Sequence, residues 1–204
     1  MSENIMDNIA EPESKIKNFM MDTMDILSFV LFLVWVLMFI RLFLFSPFTV
    51  KWESMQPNFQ EGNFIVVDKI VYKYNNLQRW DIVVFVPSNG TTPFIKRIVG
   101  MPGETIRVKD GDVHVCTQAM SLTCTKLDEQ YLAEDTETKA SCGFTEFKVP
   151  NDGYLVFGDN RNHSTDSRCC FKWFCSGDED KYWITQEEII WKVYMEILPE
   201  FKIF

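Results

Sequence analysis

Three short stretches carry side chains whose types and spacing could do chemistry together. The first is Trp52-Glu53-Ser54-Met55-Gln56-Pro57, where Ser54 is a candidate nucleophile. Proline fixes its own φ and biases Gln56 towards an extended backbone, so a loop here can aim one side chain in one direction. A hydroxyl attacks poorly unless a base removes its proton, so the reading needs a base and something to orient it. Phe94-Ile95-Lys96-Arg97 offers the base, and Gly158-Asp159-Asn160-Arg161-Asn162-His163-Ser164-Thr165-Asp166-Ser167-Arg168 offers the orienting groups.

Lys96 falls in an expected strand where Phe94 and Ile98 share its face, while Ile95 and Val99 share the other with Arg97. Apolar surroundings disfavour an ammonium by desolvation, which lowers its pKa and makes a neutral amine available as a base. Taken alone, Lys96 fits better with an exposed Lys-Arg pair at a strand end. The Gly158–Arg168 stretch alternates Asp159, Arg161, Asp166 and Arg168 with small hydroxyl and amide side chains. Such a loop is either solvated or a self-satisfied polar network that orders Ser164 or Ser167 towards the lysine. His163 suggests a Ser-His pair, but a histidine in a polar loop is ordinarily just solvated. His114 alternates with Val113 and Val115 and is expected to face solvent.

These stretches must be held by a scaffold, and 204 residues allow one domain with a sizeable core, a tail and an anchor. A net charge of -9 argues against nucleic acid as a partner. Residues 1–25 hold six acids and two lysines, hence -4 of that charge, and read as a solvated, loosely ordered tail. Ile26–Phe45 is an apolar run of membrane length, about 30 Å as a helix, interrupted near one end by Arg41, which can snorkel. A cleaved signal peptide is the rival, but the preceding tail is acidic and Ser46-Pro47-Phe48-Thr49-Val50 offers no small-x-small site. The expected organisation is a tail over 1–25, a transmembrane helix over 26–45 and a catalytic domain over 46–204. Lys15 and Lys17 against Lys51 lean towards a cytoplasmic N-terminus.

Beyond the anchor, short apolar runs alternate with turn residues, which predicts a mainly β domain. Strands are expected over 64–67, 81–86, 94–99, 105–109, 112–115, 154–157 and 191–198. Asp110-Gly111 is a hairpin signal, because a type I′ turn needs φ > 0 at both central positions. Thr185 and Glu188 have capping-box spacing. Residues 116–146 and 169–182 look like excursions bearing all six cysteines: Cys116, Cys124, Cys142, Cys169, Cys170 and Cys175. If this half is exported, disulfides are expected; proximity along the chain favours Cys116 with Cys124, and Cys175 with Cys169 or Cys170.

Taken together, the stretches resemble the bacterial type I signal peptidases, membrane-anchored serine proteases with a Ser/Lys dyad. Ser-Met-x-Pro, Lys-Arg-x-Val-Gly-x-Pro-Gly and Gly-Asp-Asn-Arg-x-x-Ser-x-Asp-Ser-Arg occur in the family's order, from Ser54, Lys96 and Gly158. The resemblance implies an antiparallel β-sheet catalytic domain of the signal peptidase/LexA-like type with one N-terminal transmembrane helix. It implies that Ser54 attacks the scissile carbonyl, Lys96 takes its proton and Ser164 orients the lysine. Asp159, Asn160, Arg161, Asp166 and Arg168 would shape the loop. Val50, Met55, Phe59, Phe94 and Ile95 match the family's shallow substrate pockets, and no metal or organic cofactor is implied. The substrates would be secretory preproteins, cut after small-x-small by a monomer spanning the plasma (inner) membrane once, its catalytic domain extracytoplasmic and in contact with membrane lipid. One departure is Trp52, where many members carry serine or glycine near the oxyanion hole. The alternatives are a mitochondrial inner-membrane peptidase of the same dyad type, a self-cleaving regulator of the LexA type, and a non-catalytic, membrane-anchored, disulfide-bonded binding domain.

Overall fold

The computed structural model describes residues 3–41, 45–49, 53–68, 77–88, 90–117, 123–172, 181–198 and 202–203. Contacts divide the chain into two units, Met1–Leu44 and Phe45–Phe204.

The first unit is built on one helix, α1 (Glu3–Phe39). Its stretch Phe19–Phe39 is long and apolar enough to cross a membrane, with a mean hydropathy of 2.0. Two expectations change here. The residues that read as a loosely ordered tail are helical from Glu3. Once nucleated, a helix gains a hydrogen bond for each residue it fixes, so an apolar helix can extend backwards into polar sequence. The other end also differs, because Phe45 opens a strand instead of closing the helix. Hydropathy does not separate a last helical turn from a short apolar strand that follows it directly.

That strand is β1 (Phe45–Thr49), and it pairs antiparallel with β2 (Phe64–Asp68) from Phe45↔Asp68 to Thr49↔Phe64. Pro47 is tolerated because β1 lies at the sheet's edge, where a missing N–H interrupts no ladder on the open side. There follow β3 (Ile82–Phe85), β4 (Phe94–Gly100), β5 (Thr105–Lys109), β6 (Asp112–Thr117), β7 (Thr123–Lys126), β8 (Glu146–Lys148), β9 (Gly153–Phe157), β10 (Ile184–Thr185), β11 (Ile189–Leu198) and β12 (Lys202–Ile203). Among the described residues these form two sheets, both antiparallel. The larger has the order β1-β2-β11-β3-β4-β9-β10, with β12 on β11, and the smaller is β7-β6-β5-β8. The mainly β, antiparallel expectation is met. Asp110 and Gly111 have φ of 53° and 86°, as the β5–β6 turn requires. The capping box at Thr185 and Glu188 is also present.

β4 is the strand on which the core converges. Ile98 packs with Val83, Phe85 and Val156; Ile95 with Met55, Phe59, Ile82 and Val84; Val99 with Ile106, Leu155 and Phe157. At its end, a Cβ on Gly100 would lie 2.8 Å from both Ile106 and Leu155. Only glycine permits that approach between the two sheets. The strand carrying the candidate base is therefore enclosed, not an exposed end.

One expected pairing is met and two further expectations are corrected. Within residues 116–146 the chain completes β6 and forms β7, and Cys116 lies opposite Cys124 in the expected disulfide. Cys169 bonds Cys142, 27 residues away, because the fold brings the two segments together where sequence proximity does not. Cys170 is also disulfide-bonded, and Cys175 lies outside the described residues. His114 is half-buried with its Nδ1 enclosed and unpartnered, between its cross-strand neighbours Arg107 and Lys126, where a solvated side chain was expected.

Candidate active site

Ser54 sits in a single 3-10 turn, Glu53–Met55, with the turn's far side anchored by the buried Met55. Phe59 N–H donates to Met55 O at 2.9 Å, and Gln56 N–H to Glu53 O at 3.1 Å, so the loop through the cis Gln56–Pro57 bond is closed on itself. The Ser54 side chain meets Lys96. Nζ donates to Ser54 Oγ at 2.6 Å and to Ile95 O at 2.8 Å. Lys96 is 2% exposed, pairs with Val83 across the sheet, and has the Phe94 ring centroid 5.6 Å from Nζ. Burial pushes its pKa down from 10.5 to about 8, opposed by the charges of Asp166 and Asp159 and assisted by that of Arg168. A neutral amine is thus accessible near neutral pH. In that form the same contact runs the other way, with the hydroxyl donating and the amine accepting.

Two buried ion pairs fix the polar loop against this pair. Arg97 Nε and Nη2 donate to Asp159 Oδ1 and Oδ2 at 2.8 and 2.6 Å, and Arg168 Nε and Nη2 donate to Asp166 Oδ1 and Oδ2 at 3.0 and 2.8 Å. Such two-point contacts set orientation as well as distance. Burial works to raise the Asp166 pKa, but Arg168 and the Gly158 N–H outweigh it and hold the carboxyl below its usual value. Ser167 Oγ accepts from Val156 N–H at 3.0 Å, which ties the loop to β9. The loop is a network, not a solvated excursion.

The loop also touches the nucleophile's turn directly. Asn160 N–H donates to Ser54 O at 3.0 Å, and its Nδ2 donates to Glu53 O at 3.1 Å. Gly158 passes so close that a Cβ there would lie 2.5 Å from Ser54 O and would collide with Ser164 Oγ. Ser164, implied to orient the lysine, has its Oγ buried near enough to the Asp166 carboxylate to favour the ionised form, and the hydrogen bonds from Lys96 go to Ser54 and Ile95. His163 is exposed, as a solvated loop histidine should be.

Of the residues matched to substrate pockets, Met55, Phe59 and Ile95 are buried in the core cluster around Val84, and Phe94 is partly exposed. Val50 and Trp52 lie outside the described residues.

Sequence reasoning passed over Glu129, Tyr131, Thr138 and Asn58. Arg161 Nη2 bonds Glu129 Oε1 and, at 2.9 Å, Tyr131 Oη; Nη1 bonds Thr138 Oγ1; Nε reaches back to Gly158 O at 3.2 Å. The Tyr131 ring lies 4.1 Å from the Arg97 guanidinium carbon, and Asn58 Nδ2 bridges Tyr131 O and Asp159 Oδ2. The cysteine-bearing segment thus completes the wall behind the loop. The available signal was Tyr131 with Leu127 and Leu132, apolar side chains inside a mostly polar stretch.

Comparison with known proteins gives the family. The family described as Signal peptidase, peptidase S26 matches residues 23–190. A signal peptidase I P from Bacillus subtilis subsp. natto is 33% identical over 164 residues, covering 78% of this chain and 83% of that protein. A signal peptidase I from Bacillus licheniformis is 34% identical over 135 residues, 63% of this chain and 69% of that one. A solved signal peptidase I from Enterococcus faecalis V583 is 24% identical, and the match covers 56% of this chain and 94% of that one with a TM-score of 0.38. With a matched region that takes in all three sequence motifs and both members of the Ser54–Lys96 pair, the chain belongs to the signal peptidase family, peptidase S26.

Proposed function

We propose that Ser54 and Lys96 are the nucleophile and general base of a signal peptidase I, a serine endopeptidase that removes N-terminal signal peptides from preproteins. The observation that carries the residue assignment is the 2.6 Å contact between Ser54 Oγ and a buried amine with a pKa near 8. As Ser54 Oγ attacks the scissile carbonyl carbon, its proton passes to Lys96 Nζ; the ammonium then protonates the leaving amine, and the freed amine deprotonates the water that hydrolyses the ester. Asp159, Arg161, Asp166 and Arg168 hold the loop that encloses the base. Phe94 is partly exposed and its ring centroid lies 5.6 Å from Lys96 Nζ, which supports its assignment to a shallow pocket for small substrate side chains.

The same reading takes α1 as a single-pass anchor, with the N-terminus cytoplasmic and residues 46–204 forming the extracytoplasmic catalytic domain. Trp35 is 63% exposed and Phe29 61%, which suits lipid better than water. Disulfides persist in oxidising compartments, which supports an outer location. The test uses the detergent-solubilised full chain and a preprotein with a small-x-small site. Wild type releases the mature protein; Ser54→Ala and Lys96→Met, still folded, should each be slower by at least roughly 10³-fold, since members of one catalytic unit are lost together. Substantial cleavage by either variant would refute the dyad.

A further inference from the structure

We infer that Asn160 is a positioning residue for the oxyanion-binding N–H of the nucleophile, an assignment that rests on Ser54 acting as proposed above. Two peptide groups flank Ser54, and Asn160 holds the carbonyl of each: its side-chain Nδ2 donates to Glu53 O at 3.1 Å and its backbone N–H donates to Ser54 O at 3.0 Å. A peptide group is planar, and a trans group points its C=O and N–H in opposite directions. Among the described residues the only cis bond is Gln56–Pro57, so the Glu53–Ser54 bond is trans. Holding Glu53 O towards Asn160 therefore aims the Ser54 N–H away from it.

Ser54 is the second residue of a single 3-10 turn, so the i−3 position for its N–H precedes Glu53, and among the described residues that N–H meets no backbone acceptor. When Ser54 Oγ adds to a carbonyl, the new oxyanion forms within reach of the nucleophile's own backbone N–H, as in other serine proteases. Such a donor works because it is already oriented before charge develops. Within the turn the Gln56 N–H also donates to Glu53 O, at 3.1 Å, and with only three residues the turn supplies no more than that one bond to the carbonyl, to which Asn160 Nδ2 adds a second from outside.

Asn160 is itself held. Its Oδ1 accepts from His163 N–H at 3.2 Å, which leaves Nδ2 facing Glu53 O, and it follows Asp159, which is locked to Arg97. It has no hydrogen bond to Lys96 among the described contacts, so its contribution is separable from that of the base.

The experiment compares wild type with Asn160→Ala and with the isosteric Asn160→Asp, using the full solubilised chain and a peptide spanning a signal-peptide cleavage site. Aspartate keeps the shape but sets an acceptor against Glu53 O, so it tests the donor even if the alanine variant folds poorly. Complete loss of an oxyanion donor costs about 10²–10³ in rate; a misaimed one should cost about 10- to 100-fold. The expected result is a fall of that size in kcat for both variants, with KM within about twofold; the acid limb of the pH profile should be unmoved in Asn160→Ala, while the new carboxylate of Asn160→Asp should move it upwards, as the charges of Asp159 and Asp166 already do. A pH-independent kcat within about twofold of wild type in both variants would overturn the assignment, and so would a loss in Asn160→Ala that comes with a raised KM or a displaced acid limb. Activity retained in Ser54→Ala would instead refute the dyad, a different and distinguishable failure.

Discussion

Arg97, the residue after the base, holds Asp159, the second residue of the catalytic loop, by two parallel hydrogen bonds of 2.8 and 2.6 Å across 62 positions of sequence. Lys96 and Arg97 point to opposite faces of β4, so one strand presents the base on one side and grips the loop on the other. The side chains are 6% and 0% exposed. Removing one partner leaves an uncompensated buried charge, so Asp159→Ala should lower the unfolding free energy by about 3–5 kcal/mol. Urea unfolding of the solubilised protein measures this, and a loss below about 1 kcal/mol would mean that the pair behaves as a surface contact.

The base itself should cost stability. Folded Lys96 binds its proton less tightly than an unfolded lysine, about 8 against 10.5. Between those values the unfolded chain holds more protons, so stability rises with pH; the penalty is whole below about 8 and gone above about 10.5. Lys96→Met should therefore make the protein more stable at pH 7, by about 2–3 kcal/mol after allowing for the lost contacts to Ser54 and Ile95, while abolishing cleavage. The difference from wild type should shrink as pH approaches 10. A variant that is less stable across the whole range would contradict the buried-base account.

Much of this was legible because it is local. The turn at Asp110 and Gly111, the alternation around Lys96 and the capping box at Thr185 each depend on residues within a few positions of one another. The motifs from Ser54, Lys96 and Gly158 reveal chemistry through residue type and order. What stayed hidden was the pairing of distant segments. Alternation placed Lys96 and Arg97 on opposite faces, but it could not say that both faces are covered, so an exposed strand end looked preferable. Nor could it say that Arg161 is met by Glu129, or that Cys169 finds Cys142 ahead of nearer cysteines. The hydrophobic run likewise marked an anchor without separating its last turn from β1.

The Cys142–Cys169 bridge ties the segment that carries Thr138 to the loop that carries Asp166. Closing 27 residues of chain restricts the unfolded state by about 3–4 kcal/mol, so a Cys142→Ser, Cys169→Ser double variant should unfold more easily by up to that amount. Alkylation of the unreduced protein under denaturing conditions, followed by mass measurement, should leave Cys116, Cys124, Cys142, Cys169 and Cys170 unmodified. Labelling of all six cysteines would show that the bridges do not form.

The pH dependence of kcat/KM on a soluble peptide substrate tests the central claim, that a buried neutral lysine activates Ser54. Activity requires Lys96 unprotonated, so kcat/KM should be flat above its depressed pKa and fall tenfold per unit as pH drops below about 8. A rate that keeps rising tenfold per unit to about pH 10, without a plateau, would mean that Lys96 titrates like a solvated side chain and would contradict the mechanism.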